Sequence, residues 1–153
     1  MANHLELLSL AGYTALVTGA GTGLGLQMAL GLAEAGANLV VCGRRVGPLE
    51  DCATQASAFG VTVKVIPADV TDEVDLQRLK AEAGQIDILV NNAGFGMQGK
   101  WTEVSLTEWR EVMALNLDAP FRLIQLFAPP MMERGWGRIV NIASIYGSIS
   151  GDP

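Results

Sequence analysis

The chain has 153 residues, half of them hydrophobic and 17% charged, with a formal net charge of -6. That size fits a single globular domain with a sizeable core, and the mild acidity without any Lys/Arg run excludes a basic nucleic-acid-binding surface. One histidine and two scattered cysteines leave a metal cluster or a disulfide framework without support, and no apolar stretch is long enough to span a bilayer.

Residues 1–12 read as an N-terminal tail holding His4, with Glu6 among its leucines and no basic start, so it is not a signal peptide. Tyr13–Thr18 is a short apolar run ending at glycine, the pattern of a strand buried on both faces. Leu24–Ala35 reads as a helix stopped by Gly36, and Asn38–Cys42 as a second strand. Pro48 suits a first helical turn, so Leu49–Phe59 forms the next helix, closed by Gly60. Val61–Ile66 is β-branched and reads as the third strand. Thr71 is the expected cap of a helix over Asp72–Ala83, with Asp72 and Glu73 in its first turn. Ile86–Val90 is the fourth strand. Ser105-Leu106-Thr107-Glu108 is a capping-box pattern opening a long helix through Trp109, Met113, Leu117 and Phe121 towards Phe127. Pro129 and Pro130 are expected to kink or end it. Gly137–Ala143 is the fifth strand. Strands alternating with helices in this way predict an α/β fold: a doubly wound parallel sheet of Rossmann type over residues 13–153. Cys42 in a strand and Cys52 in a helix read as reduced core thiols of a cytoplasmic protein.

The first strand–turn–helix holds Gly19, Gly21, Gly23 and Gly25. A pyrophosphate site needs a tight turn, close backbone approach and free N–H groups at a helix start, and glycines here supply all three. The spacing is G-x-x-x-G-x-G rather than G-x-G-x-x-G, and a close-packed turn without ligand is the alternative reading. After the second strand stand Gly43, Arg44 and Arg45, where an acidic residue would hold the ribose hydroxyls of NAD. A guanidinium there can grip a 2′-phosphate, so NADP(H) is preferred, with Arg44 the main clamp, and NAD(H) stays possible. The other reading has both arginines simply solvating the loop.

Five motifs stand in register between Tyr13 and Ser144: Thr18-Gly19-x-x-x-Gly23-x-Gly25, Asp69 in Ala-Asp-Val, Asn91-Asn92-Ala93-Gly94, Asn116 in Leu-Asn-Leu, and Ser144 in Asn-Ile-Ala-Ser. Together they resemble the short-chain dehydrogenase/reductase family. The resemblance implies hydride transfer between a nicotinamide cofactor and a small carbonyl or alcohol substrate. It implies cofactor contacts from Gly19, Gly21, Thr22, Gly23, Leu24, Gly25, Arg44, Arg45, Asp69, Val70, Asn92, Ala93 and Gly94, with Asp69 at the adenine. Asn116 would serve a proton relay at a local helix distortion, and Ser144 would hydrogen-bond the substrate carbonyl. Solvent-facing polar residues are the alternative readings for both. A homo-oligomer, dimer or tetramer, built through the long helix is also implied, although Trp109, Met113 and Phe121 could equally be core. Phe95, Gly96, Met97 and Gln98 would stand at the substrate entrance.

The family's Tyr-x-x-x-Lys pair, in which a cation lowers the pKa of the tyrosine, is not in this sequence. Its tyrosines are Tyr13 and Tyr146, followed four residues later by Val17 and Ser150, and no lysine follows Lys100. Two accounts are expected to divide the possibilities: the N-terminal portion of a longer reductase, or a catalytically silent nucleotide-binding or interaction module. A fragment ending here is expected to present one face of the fifth strand as an open sheet edge and to self-associate if it exists alone.

Overall fold

The computed structural model describes residues 8–97 and 99–144; His4, Gln98 and Tyr146 lie outside the described residues. Five strands form one parallel sheet: β1 (Thr14–Thr18), β2 (Asn38–Gly43), β3 (Val63–Pro67), β4 (Ile88–Asn91) and β5 (Arg138–Asn141). Their order is β3-β2-β1-β4-β5, with β1 central and every described pairing parallel. The chain reverses its winding between β1 and β4, which opens a crevice beyond the carboxyl ends of these strands.

Helices cover both faces. On one, α1 (Gly23–Glu34) and α2 (Val46–Ser57) pack Ala29, Ala33, Leu49 and Cys52 against Ala15, Val17, Val41 and Val90. On the other, α3 (Glu73–Ala83) and α5 (Ala119–Glu133) pack Leu76, Leu79, Leu123, Phe127 and Met131 against Leu16, Val40, Ile66 and Leu89. Adjacent strand residues therefore serve opposite cores. This explains the unbroken apolar runs of β1, β2 and β4, whose residues are nearly all buried.

Three local expectations are corrected. Asp72, not Thr71, caps α3: its backbone is extended and its carboxylate accepts the Asp75 N–H, while the Thr71 hydroxyl turns back to Asp69 Oδ1. The acids of the first turn are accordingly Glu73 and Asp75. Pro129 and Pro130 do not end the last helix, which runs on to Glu133. Its inner face, Leu123, Phe127 and Met131, stays buried across the prolines and holds the final turns on the sheet. The strands predicted at 61–66 and 86–90 start two residues later and end one later, at 63–67 and 88–91, and the one predicted at 137–143 shortens to 138–141.

The capping box at Ser105 is present, with reciprocal bonds between Ser105 and Glu108 at the start of α4 (Leu106–Met113). Between α4 and α5 the helix widens to a π-turn, Ala114–Asp118, closed by the Ala119 N–H on Ala114 O. Trp109 and Phe121, which the sequence leaves open to a core reading, are exposed at 47% and 58%. Both cysteines are buried and unpaired, and burial pushes the Cys42 thiol up to about 12, so it stays protonated at neutral pH.

Candidate functional site

The crevice at the carboxyl ends of the strands is a cleft of about 550 Å³. Each of the first four strands contributes to its wall. Gly19 follows β1, Gly43 and Arg44 follow β2, Ala68 to Thr71 follow β3, and Ala93 to Phe95 follow β4. Glu111 and Leu115 close the far side from α4 and the π-turn.

The glycine turn is packed too tightly for other residues. Gly19 has φ +66°, and a Cβ on it would stand 2.9 Å from Asn92 Nδ2. A Cβ on Gly25 would collide with Gly19 O and Asn92 Nδ2, so the first turn of α1 lies directly on the backbone that ends β1. Gly21 packs against Pro48 of α2 in the same way. The α1 helix starts without a side-chain cap, because Thr22 is extended and makes no capping bond, and no acid stands in its first turn. Its N–H groups are therefore left for something else. Thr22, Gly23 and Leu24 are exposed on this turn.

Thr18 organises the turn. Its hydroxyl donates to Val90 O (3.3 Å) and accepts the amides of Asn92 (3.0 Å) and Ala93 (3.1 Å). Asn92 answers from just beyond β4, its Nδ2 donating to Thr18 O (2.9 Å) and Gly19 O (3.3 Å). The side chain of Asn92 is thus committed to holding the glycine turn, and Asn92 does not itself line the cleft. Asn91 is buried and its Nδ2 bonds Asn141 Oδ1 at 2.8 Å, tying β4 to β5.

Asn116 sits on the π-turn and clamps the loop after β4. Its Nδ2 donates to Phe95 O (2.8 Å) and its Oδ1 accepts Phe95 N–H (3.1 Å), the two bonds a neighbouring strand would make. A Cβ on Gly94 would meet Asn116 Oδ1 at 3.0 Å, so glycine lets the helix approach. The local helix distortion expected at Asn116 is present; the residue is exposed, and its side-chain amide bonds the Phe95 backbone.

Asp69 Oδ1 accepts from Thr71 N (2.9 Å) and Thr71 Oγ1 (2.7 Å), leaving Oδ2 without a hydrogen-bond partner among the described residues. Val70 is buried beside it in the cleft wall. Arg44 is exposed at the rim, while Arg45 points the chain into α2 as its N-terminal flanking residue and does not line the cleft. Ser144 is exposed three residues beyond the Asn91–Asn141 pairing, at the end of β5.

Of the sequence candidates, Gly19, Arg44, Asp69, Val70, Ala93 and Gly94 come together around the cleft; Gly21, Thr22, Gly23, Leu24 and Gly25 follow Gly19 on the turn into α1 and do not themselves line it. Sequence reasoning missed the hydroxyl role of Thr18, whose only sign was its place before the first glycine. It also missed Asp75, which takes the Asp69 N–H at 2.8 Å; the Asp69 amide and then the Arg78 guanidinium hold its carboxyl below the usual range.

Residues 13–152 match the model of the short chain dehydrogenase family. The chain is 38% identical over 152 residues to gluconate 5-dehydrogenase of Gluconobacter oxydans, covering 97% of this chain and 59% of that one. Among solved structures, a gluconate 5-dehydrogenase from Burkholderia cenocepacia J2315 in complex with NADP and tartrate superposes with a TM-score of 0.86 at 34% identity, covering 97% of this chain and 60% of that one. A short-chain dehydrogenase from Sphingobium yanoikuyae in complex with NADPH gives a TM-score of 0.83 at 34% identity, covering 89% and 55%. The chain therefore belongs to the short-chain dehydrogenase family. It spans between half and three fifths of the length of the curated relatives it matches.

Proposed function

We propose that this chain is the cofactor-holding portion of an NADP(H)-dependent oxidoreductase that interconverts a carbonyl and a secondary alcohol. The observation that carries the reading is the glycine cradle beneath an uncapped α1. A dinucleotide fits these residues: Gly19 and Gly25 let the start of α1 lie directly on the backbone that ends β1, and its first N–H groups carry no side-chain cap. The cleft volume also lies within the ~300–1,000 Å³ usual for cofactor sites.

In this reading the α1 N–H groups and the glycine backbone bind the pyrophosphate. Asp69 Oδ2 accepts from the adenine, and Arg44 binds the 2′-phosphate. Thr18 and Asn92 hold the turn in shape, and Asn116 fixes the Gly94–Phe95 backbone that the ribose approaches. Ser144 donates a hydrogen bond to the substrate carbonyl oxygen. When bound, the cofactor supplies the hydride acceptor or donor. NADP(H) over NAD(H) rests on the arginines after β2 and the lack of an acid there, and the relatives solved with NADP and NADPH support it.

Titrating the protein with NADPH and NADH by fluorescence or calorimetry tests this. Tighter binding of NADPH is expected. Arg44→Ala should weaken NADPH by about 10- to 100-fold, the worth of a paired charge-assisted bond, and leave NADH unchanged. Failure to bind either dinucleotide sinks the reading, as does a full-length enzyme that turns over no carbonyl with either. Self-association as a dimer or tetramer belongs to the same proposal. The exposed Leu106, Trp109, Leu117 and Phe121 on α4, the π-turn and α5 support it, and sedimentation of the Phe121→Glu variant as a smaller species would confirm the face.

A further inference from the structure

Between β3 and α3 the chain makes one turn, Ala68–Asp72, whose first four residues line the cleft. That turn is held from outside. Asp75 Oδ2 accepts the Asp69 N–H at 2.8 Å, while Asp75 Oδ1 receives Arg78 NH2 at 2.7 Å. The same Arg78 nitrogen donates to Pro67 O at 2.6 Å, the last residue of β3. Asp69 O in turn accepts the Asp72 N–H at 3.0 Å, and Asp72 accepts the Asp75 N–H at 2.9 Å. The bonds form a closed ring from the end of β3, through Asp69, to the first two turns of α3.

Capping α3 does not account for Asp75. Asp72 supplies the cap, and the two oxygens of Asp75 are engaged outside the helix backbone. Neither Asp75 nor Arg78 lines the cleft. What the pair determines is where the Asp69 backbone sits, and hence where the Asp69 carboxylate points once Thr71 has taken its Oδ1.

We propose that Asp75, backed by Arg78, is a positioning residue for the adenosine end of the cofactor, acting through Asp69; the proposal rests on the dinucleotide reading above. A carboxylate anchored at both oxygens gives the loop one conformation in the free protein, so binding does not have to order it.

The test is a double-mutant cycle on NADPH affinity, with adenosine 2′,5′-bisphosphate as a second ligand that carries only the adenosine half. Asp75→Ala and Arg78→Met should each raise the Kd for both ligands by about tenfold, the loss expected when one charge-assisted bond no longer holds a binding group. Combined with Asp69→Ala, the Asp75→Ala change should cause no further loss. A merely structural role would instead lower the urea midpoint and leave the two losses multiplicative. The proposal is overturned if Asp75→Ala and Arg78→Met both bind as the parent does, or if the Asp69 and Asp75 losses multiply. If the parent protein binds neither ligand, the dinucleotide reading falls and takes this one with it; loss of effect in the variants alone strikes only this one.

Discussion

The carboxyl ends of β1 and β4 and the edge strand β5 belong to one sheet, yet they are made on opposite terms. At the ends of β1 and β4 Thr18 joins three backbone groups and Asn92 two more, beside Gly19 and Gly25, which have no room for a methyl group. At β5 all four residues are exposed, including Ile139 and Val140 at 38% and 43%. Its attachment is the ladder to β4, the Asn91–Asn141 side-chain bond and the groove where Met131 packs behind Gly137. The difference teaches that the turn is fixed by side-chain bonds to its backbone and by close packing, whereas β5 is held mainly by its ladder to β4.

Removing the anchor of the less protected half should have the largest effect. Phe127 is almost fully buried on the inner face of α5, and Phe127→Ala should destabilise by about 3–5 kcal/mol in urea unfolding. A loss under 1 kcal/mol would mean that α5 does not hold the β4–β5 side in place. Next comes Gly25→Ala, which drives a methyl group into Gly19 O and Asn92 Nδ2. Opening the turn should weaken NADPH at least about 100-fold, beyond the ~1–3 kcal/mol of stability that overpacking costs. Unchanged affinity would show that the cradle does not hold phosphate.

Thr18→Val keeps the shape but strands the Asn92 and Ala93 amides, and should cost about 2–3 kcal/mol. Val140→Lys on the exposed β5 should change stability by under ~0.5 kcal/mol. Equal losses at Thr18 and Val140 would erase the contrast between the two regions. The smallest effect is electrostatic. Glu73 on α3 takes two bonds from Arg122 on α5, at 2.6 and 3.2 Å, and these lower its pKa, with help from Gln77. A lowered carboxylate pKa gives stability that is present above the ordinary value and lost as pH falls through the folded value. Carboxyl NMR should therefore show Glu73 titrating below an ordinary glutamate, and Arg122→Gln should bring it back.

Much of the fold was legible because its signals are local. Apolar runs closed by glycine, the Ser105–Glu108 box and the alternation of strand and helix each follow from backbone sterics and one or two turns of chain. The candidate site was legible for a different reason: Gly19 and Gly25 stand where a phosphate-binding turn needs glycine, and Asp69, Asn92 and Asn116 match the motifs of the family the chain resembles. Their partners were not legible. Thr71 and Asp72 both look like caps in sequence, and only the extended backbone at Asp72 decides between them. Pro129 and Pro130 read as a kink or an end, and α5 runs past them with its buried face on the sheet.

The amino-acid sequence by itself determined the doubly wound sheet, the glycine turn and the family, because periodicity and motif spacing are properties of the chain alone. The tertiary structure decided what the motif residues do to one another. Asn92 faces the glycine turn rather than the open cleft, Asn116 clamps Phe95, and Asp75 holds Asp69 from outside the site. The Asn92 and Asn116 contacts join residues 21 or more positions apart, and the one to Asp69 depends on how α3 meets the end of β3. Such hydrogen bonds exist only once packing has brought their partners within 3 Å or so of each other, a distance no local pattern encodes.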